Sequence, residues 1–371
     1  MVGCVTGDPH PTFEGAEVSG PSVADSPDDF TPAWLSRALD RKVASVVVEQ
    51  IGTGQTGAAY RLSMVTADGP LTLIAKIGRG DASARRRVRD GYRSEVGFYR
   101  DIAPMIDVAT PRCWYGAITD DSLVFTLLLD DLAPRVPGVQ TEGCTVDQAR
   151  LAVVNLAALH AGRWNDESVF DLPFLARPTA AGAEFLGSMV ASATETFVDR
   201  FAARLDAADV ATLRTAAAAM TDWQLTRPTP FAVLHGDYRL DNLLFDPAGD
   251  DVVVVDWQTL AVGPPARDLA YFLGTSLTID DRRTAERGLV ADYHASLCER
   301  GVRDYGVEQC FDDYRLGQLQ GPMITTIGCA FATGERSDDA DAMFLAMARR
   351  SCAAIRDLDS LDAIAIRGTG E

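Results

Sequence analysis

The segment His235-Gly236-Asp237-Tyr238-Arg239-Leu240-Asp241-Asn242 sets a carboxylate five residues ahead of an amide, and a second carboxylate, Asp256, closes the apolar run Val252 to Val255. These groups match the needs of phosphoryl transfer. Asp237 is a candidate base that orients an attacking hydroxyl, and Asn242 and Asp256 are candidate oxygen ligands for a Mg²⁺ ion on nucleotide phosphates. Singly, a His-Gly-Asp is more often a plain turn, and an Asp after a valine run more often a strand terminator or cap. The balance reverses when they are taken together. Leu243-Leu244-Phe245 and Val252–Val255, joined by Asp246-Pro247-Ala248-Gly249-Asp250, have the pattern of a β-hairpin, which returns Asn242 and Asp256 to one end of a ribbon.

A second constellation lies far upstream. A strand pattern over Val46–Ile51 leads into a GxGxxG string with Gly52, Gly54 and Gly57. A dinucleotide-binding turn would need a helix next. Here Tyr60, Leu62 and Met64 alternate with Arg61 and Ser63, Asp68-Gly69 makes a turn, and Leu71–Ile77 is a second strand. In a strand–loop–strand order, the glycines let backbone amides approach phosphates. Lys76 sits in that second strand. Of 34 Lys and Arg residues only Lys42 and Lys76 are lysine, so a lysine inside an apolar strand points to a site that wants a compact ammonium. Without the glycine loop an exposed surface lysine is the better reading. Glu95, in a helical pattern with Val96, Tyr99 and Ile102, is the expected partner of Lys76.

Across roughly residues 45 to 355 the chain resembles the aminoglycoside phosphotransferase and choline kinase-like superfamily, most of all its ecdysteroid-kinase-like small-molecule kinases. The motifs that carry this are GTGQTG, Lys76, Glu95, the Leu127–Leu132 stretch, Leu159-His160, HGDYRLDNLLF, DWQ and Gly263–Tyr271. The resemblance implies an α+β, protein-kinase-like bilobal fold: an N-lobe over residues 29–130 built on a small antiparallel β-sheet, and a mainly helical C-lobe over 131–371. It implies ATP and Mg²⁺ as cofactors and a hydroxyl of a small molecule as phosphate acceptor. Asp237 would be the catalytic base, Asn242 and Asp256 the metal ligands, and backbone groups at Leu129, Asp130, Asp131 and Leu132 the adenine site. Arg239 takes the place of the catalytic-loop lysine of protein kinases, where it would steady the transferred phosphoryl group. Gly236 replaces the arginine that in many protein kinases meets an activation-loop phosphate, so control through that contact is not expected.

Two other readings stay open at this level. One is a kinase-fold protein that binds nucleotide but transfers nothing; the other is a hydrolase with His235, Asp237 and Asp256 around a metal.

The elements that must hold these groups follow from pattern. At 371 residues the chain exceeds what one core usually serves, which agrees with two lobes. Residues 1–28, Gly-, Pro- and Asp-rich, are expected to form a flexible arm without a secretion signal. Thr31-Pro32 opens a helix through Leu39. Thr145–His160 has a capping residue and a buried stripe, residues 181–224 are helical, and Asp339–Asp357 is expected to be the last helix. Asp268 precedes Leu269–Leu273 and is expected to cap it, while the resemblance adds a brace for active-site backbone. His160 is expected to be a structural hydrogen-bonding residue. A net charge of −19 argues against a nucleic-acid partner, and seven scattered cysteines read as reduced thiols. A soluble, cytoplasmic enzyme with no membrane partner is the expectation.

Overall fold

The computed structural model describes residues 23–52, 57–226, 229–332 and 337–368. They fall into two compact units. The first runs through Ile106 and takes in Arg112–Asp131; the second takes Asp107–Pro111 and the described residues from Leu132 onward.

The first unit carries helix α1 (Pro32–Ala38), strands β1 (Val43–Ile51), β2 (Gly57–Thr66) and β3 (Gly69–Gly78), helix α2 (Ala82–Gly97), and strands β4 (Cys113–Ile118) and β5 (Phe125–Asp130). The strands form one sheet in the order β1-β2-β3-β5-β4, each neighbouring pair antiparallel. The period of two read from β2 is kept, with Leu62 and Met64 buried and Ser63 exposed. Those two side chains join Leu73, Ala75, Ile77 and Leu128 under Trp34 and Leu35 of α1. Thr31 caps α1 by accepting from the Trp34 N–H at 3.2 Å.

The expected flexible arm needs correction at its end. Residues 1–22 lie outside the described residues, but Ala24 is fully buried. The Thr126 hydroxyl accepts from Ala24 N–H (2.8 Å) and donates to its carbonyl (2.9 Å), supplying both bonds that a strand neighbour would give. A capping box between Ser26 and Asp29 then closes a single helical turn over Pro27–Asp29.

The second unit begins with strand β6 (Val136–Pro137), helices α3 (Val146–Ala161), α4 (Ala180–Arg200), α5 (Ala207–Ala218) and α6 (Met220–Leu225), and strand β7 (Ala232–Leu234). Strands β8 (Leu243–Phe245), β9 (Val252–Val254) and β10 (Ala261–Gly263) follow, then helices α7 (Ala266–Ser276), α8 (Ile279–Glu299), α9 (Val307–Gly317), α10 (Gln320–Phe331), α11 (Asp338–Asp357) and α12 (Ser360–Gly368). The hairpin forms as expected, Leu243 facing Val254 and Phe245 facing Val252. The Pro/Gly-rich crossover adds β6 to its other edge, and β10 pairs with β7. Helix α11 is not the last: α12 follows, with Ile364 buried in a core cluster that also holds Trp223 and Leu316.

Helix α3 is the floor of the 235–242 segment, whose Tyr238 hydroxyl donates to its Ala152 carbonyl at 2.8 Å. A capping box of Thr145 and Gln148 starts it, and Leu156, Ala157, Leu159 and His160 are buried along it. Its Asn155 accepts from the Ala109 N–H at 2.7 Å. Ala109 accepts in turn from the Val254 N–H at 2.9 Å, which closes the outer edge of β9 and explains why Asp107–Pro111 belongs to this unit. No described helix is long and apolar enough to cross a membrane, and Cys113, Cys144, Cys298, Cys310 and Cys352 are free thiols.

Candidate active site

In the first unit, Lys76 lies mid-strand on β3, with Ala59 and Leu127 as its neighbours across the sheet. Its Nζ meets Glu95 Oε1 at 2.6 Å, Glu95 being in the last turn of α2 with only 1% of its side chain exposed. The pairing expected from sequence is therefore formed, and its burial makes it a demanding one. An acid with so little water needs its cation. Gly52 follows β1 at φ +66°, and Gly57 starts β2 beside Lys76. A Cβ on Gly57 would lie 3.3 Å from Lys76 Cε and 3.2 Å from the Ile77 carbonyl, so glycine there keeps room for the lysine stem. Gly54, the middle glycine of the string, lies outside the described residues. Glu95→Ala should cost about 3 kcal/mol of stability by taking its carboxylate away from a mostly buried ammonium. Glu95→Gln keeps an acceptor oxygen and should cost less than half of that in denaturant unfolding, yet raise the KM for nucleotide severalfold.

The four residues expected to take adenine behave differently from one another. Leu129 is buried within β5. Asp130 donates its N–H to the Arg112 carbonyl at 3.0 Å, and its Oδ1 accepts from Trp114 Nε1 at 2.7 Å. Asp131 accepts two bonds from Arg61, at 2.7 and 3.3 Å, in a bidentate pair. Both acids thus fasten the end of β5 to the sheet. Leu132 opens the second unit, its carbonyl accepting from the Arg135 N–H at 2.9 Å.

In the second unit, Asp237 stands at the centre of a hydrogen-bonded group. Its Oδ2 accepts from Arg239 Nε and from Asn242 Nδ2, each at 3.2 Å, and its Oδ1 accepts from the Tyr271 hydroxyl at 2.8 Å. Asn242 Nδ2 also donates to the Asp237 carbonyl at 2.9 Å. Because both of those partners only accept, the amide nitrogen must face Asp237, and the amide oxygen is turned to the other side. Arg239 pairs further with Asp241 at 2.7 Å. Burial, the largest influence on Arg239, favours its neutral form, but the negative charges of Asp237 and Asp241 outweigh it and hold the guanidinium charged beyond the usual arginine range.

Asp256 comes to the same end of the ribbon. The Val255 N–H donates to the Asn242 carbonyl at 3.0 Å, one step past the last ladder pair, so Asp256 is the next residue along. It is half-buried and holds φ +68°, a left-handed conformation uncommon outside glycine. Strain of this kind concentrates where function needs a side chain aimed. An amide oxygen and a carboxylate make a hard-oxygen donor pair, which fits Mg²⁺ completed by water and phosphate oxygens.

The backbone under Asp237 is held from α7. Asp268, fully buried, accepts from the N–H groups of His235 (2.6 Å) and Gly236 (3.1 Å). It does not cap the helix as expected, because it already sits in the first turn behind Pro265 and its carboxylate points to the loop instead. The bracing role is the one seen. His160, also fully buried, bonds Tyr293 through Nδ1 at 2.7 Å and sets Nε2 3.5 Å from Asp268, a structural arrangement. His235 Nδ1 accepts from the Asp237 N–H at 3.3 Å, so Nε2 carries the proton and donates to the Val255 carbonyl at 3.1 Å. Neither nitrogen is left for a metal, which removes the His235-based hydrolase reading.

Gly236 explains its own identity. At φ +81° a Cβ would fall 2.2 Å from the Thr259 carbonyl oxygen, while the Thr259 hydroxyl donates to the His235 carbonyl at 2.8 Å. No side chain fits, so an arginine here is sterically impossible as well as absent. Gly236→Ala should destabilise by about 3 kcal/mol, combining left-handed strain with displacement of packed backbone. A thermal melt close to wild type would contradict this packing.

Sequence reasoning missed two residues of this group. Tyr271 looks like one more apolar member of α7, and Gln140 like part of a loop. Gln140, fully inside, accepts from the Leu240 N–H (3.0 Å) and donates to the Thr275 carbonyl (2.9 Å), tying the 235–242 segment to α7.

Comparison with known proteins agrees with this geometry. A family model described as the phosphotransferase enzyme family matches residues 47–306, more than half of the chain. The chain belongs to the phosphotransferase enzyme family. Among solved structures, this phosphotransferase-family chain is similar to choline kinase from Cryptosporidium parvum Iowa II, with a TM-score of 0.56 and 10% identity over 91% of this chain and 96% of that one. It is also similar to the GDP complex of wild-type aminoglycoside 2'-phosphotransferase-IIIa (TM-score 0.51, 16% identity, 83% and 93% covered). At such identities the likeness shows the fold, the expected protein-kinase-like α+β architecture. A curated relative, acyl-CoA dehydrogenase family member 11 of Gallus gallus, is 43% identical over 54 residues, 13% of this chain and 7% of that protein. The match therefore spans less than a tenth of that relative's length.

Proposed function

We propose that this chain is an ATP- and Mg²⁺-dependent kinase that phosphorylates a hydroxyl of a small molecule. The observation that carries the proposal is Asp237, a carboxylate oriented by three donors in a family that transfers phosphate. A base so placed takes up the proton of an acceptor hydroxyl as that oxygen attacks the γ-phosphorus. Asn242 and Asp256 would hold Mg²⁺, which when bound offsets charge on the phosphates. Lys76, kept in place by Glu95, contributes a point charge suited to the α- and β-phosphates, with backbone amides near Gly52 and Gly57 beside them. Arg239, charged and adjacent to the base, is suited to the transferred group.

The similar structures include a choline kinase and an aminoglycoside 2'-phosphotransferase. Cationic amines and amino sugars are thus the first acceptors to try, and the acidic balance of the chain is compatible with them. Macrolides, steroids and other alcohols complete the panel. Purified protein with ATP, Mg²⁺ and each acceptor should release ADP above the acceptor-free rate for at least one of them, and removal of divalent metal with EDTA should abolish the release. Tight ATP binding with no ADP from any acceptor or from water would instead support a nucleotide-binding protein without transfer.

A further inference from the structure

We propose that Tyr271 is a positioning residue that decides which oxygen of Asp237 receives the acceptor hydroxyl, an inference that rests on the kinase reading above. A carboxylate oxygen offers two lone-pair directions. Oδ2 has both filled, by Arg239 Nε and Asn242 Nδ2 at 3.2 Å each. Oδ1 has one filled, by the Tyr271 hydroxyl at 2.8 Å, and keeps one for an incoming donor. The acceptor hydroxyl is therefore directed to Oδ1.

The geometry of α7 makes this a fixed relation. Asp268 of the first turn holds the two residues before Asp237 by their N–H groups, and Tyr271, three residues further along the same helix, holds the side chain. Tyr271 is fully buried, so a phenylalanine would satisfy packing alone. Its hydroxyl is the part that reaches Asp237. Burial first, and the negative charge of Asp237 next, push the phenol well above the usual tyrosine range, so it stays protonated and donates.

In the transfer step, the acceptor oxygen forms its bond to the γ-phosphorus as its proton moves to Asp237 Oδ1. The bond from that phosphorus to the bridging oxygen breaks, and its electron pair leaves with ADP. Without the Tyr271 donor the carboxylate is held through Oδ2 by Arg239 and Asn242, and Oδ1 loses the short bond that aims its open lone pair.

The test is single-turnover and steady-state ADP release from Mg·ATP, with water, choline and kanamycin as acceptors, for wild type, Tyr271→Phe, Asp237→Asn and the double variant. Tyr271→Phe should lower kcat about 10- to 30-fold, with nucleotide Kd within twofold and a melting temperature within a few degrees. In the Asp237→Asn background the same change should have no further effect, because the group through which Tyr271 acts is gone. Wild-type kcat in Tyr271→Phe, an equal loss in both backgrounds, or a loss that tracks nucleotide affinity or melting temperature would each overturn the proposal. Undiminished turnover in Asp237→Asn, or no nucleotide turnover by wild type with water or any acceptor of the full panel, would retire the kinase reading itself, a distinguishable failure.

Discussion

Asp237→Asn is expected to lower turnover by about 10² or more, with nucleotide affinity unchanged within a few-fold. The fold should accept the change for a specific reason. Arg239 and Asn242 can only donate to position 237, so the amide oxygen of the new side chain must face them, and its NH₂ must face Tyr271. A hydroxyl can accept as well as donate, so Tyr271 can reverse its bond. The substitution therefore leaves the local packing intact and sets a donor where the base oxygen was. Steady-state kinetics with a fluorescent nucleotide titration separate the two quantities. Loss of both together, with a large drop in melting temperature, would mean that Asp237 is a structural residue.

Asp256→Gly is expected to move stability and activity in opposite directions. The native residue holds φ +68°, and relief of that strain by glycine should add about 1 kcal/mol, less the greater chain entropy of glycine in the unfolded state. Loss of the carboxylate should reduce Mg²⁺-dependent activity by roughly 10²–10³. The diagnostic is the melting temperature with and without Mg·ATP. Wild type should be raised by the ligand through mass action, and the variant should not. Asp256→Asn, which keeps the size and the tolerance for this backbone, should lose activity without the gain. An unchanged response to Mg·ATP in Asp256→Gly would show that the strain serves the turn and not a metal.

Local pattern made much of this site legible. The alternation of β2, the hairpin of β8 and β9, and the lone lysine of β3 are all short-range signals, and each placed its residue. The misses share one cause, a partner distant in sequence. Gln140 acts on a residue a hundred positions later, and Tyr271 on one in a different element. Neither can be told from loop or core until the chain has closed around it. Asp268 shows the same limit: beside an apolar helical run, an aspartate has the sequence form of a cap, and only the loop packed above it makes it a brace. Ala24 is buried for a similar reason, because Thr126 happens to offer both a donor and an acceptor to an otherwise polar tail.

The most direct measurement follows the phosphoryl group itself. With ATP carrying ¹⁸O on its γ-phosphate, Mg²⁺ and the acceptor panel, mass spectrometry should find the labelled oxygens in a phosphate ester of one acceptor, with ADP formed in equal amount. Label found only in inorganic phosphate for every acceptor, or recovered intact in ATP, would contradict transfer to a small-molecule hydroxyl.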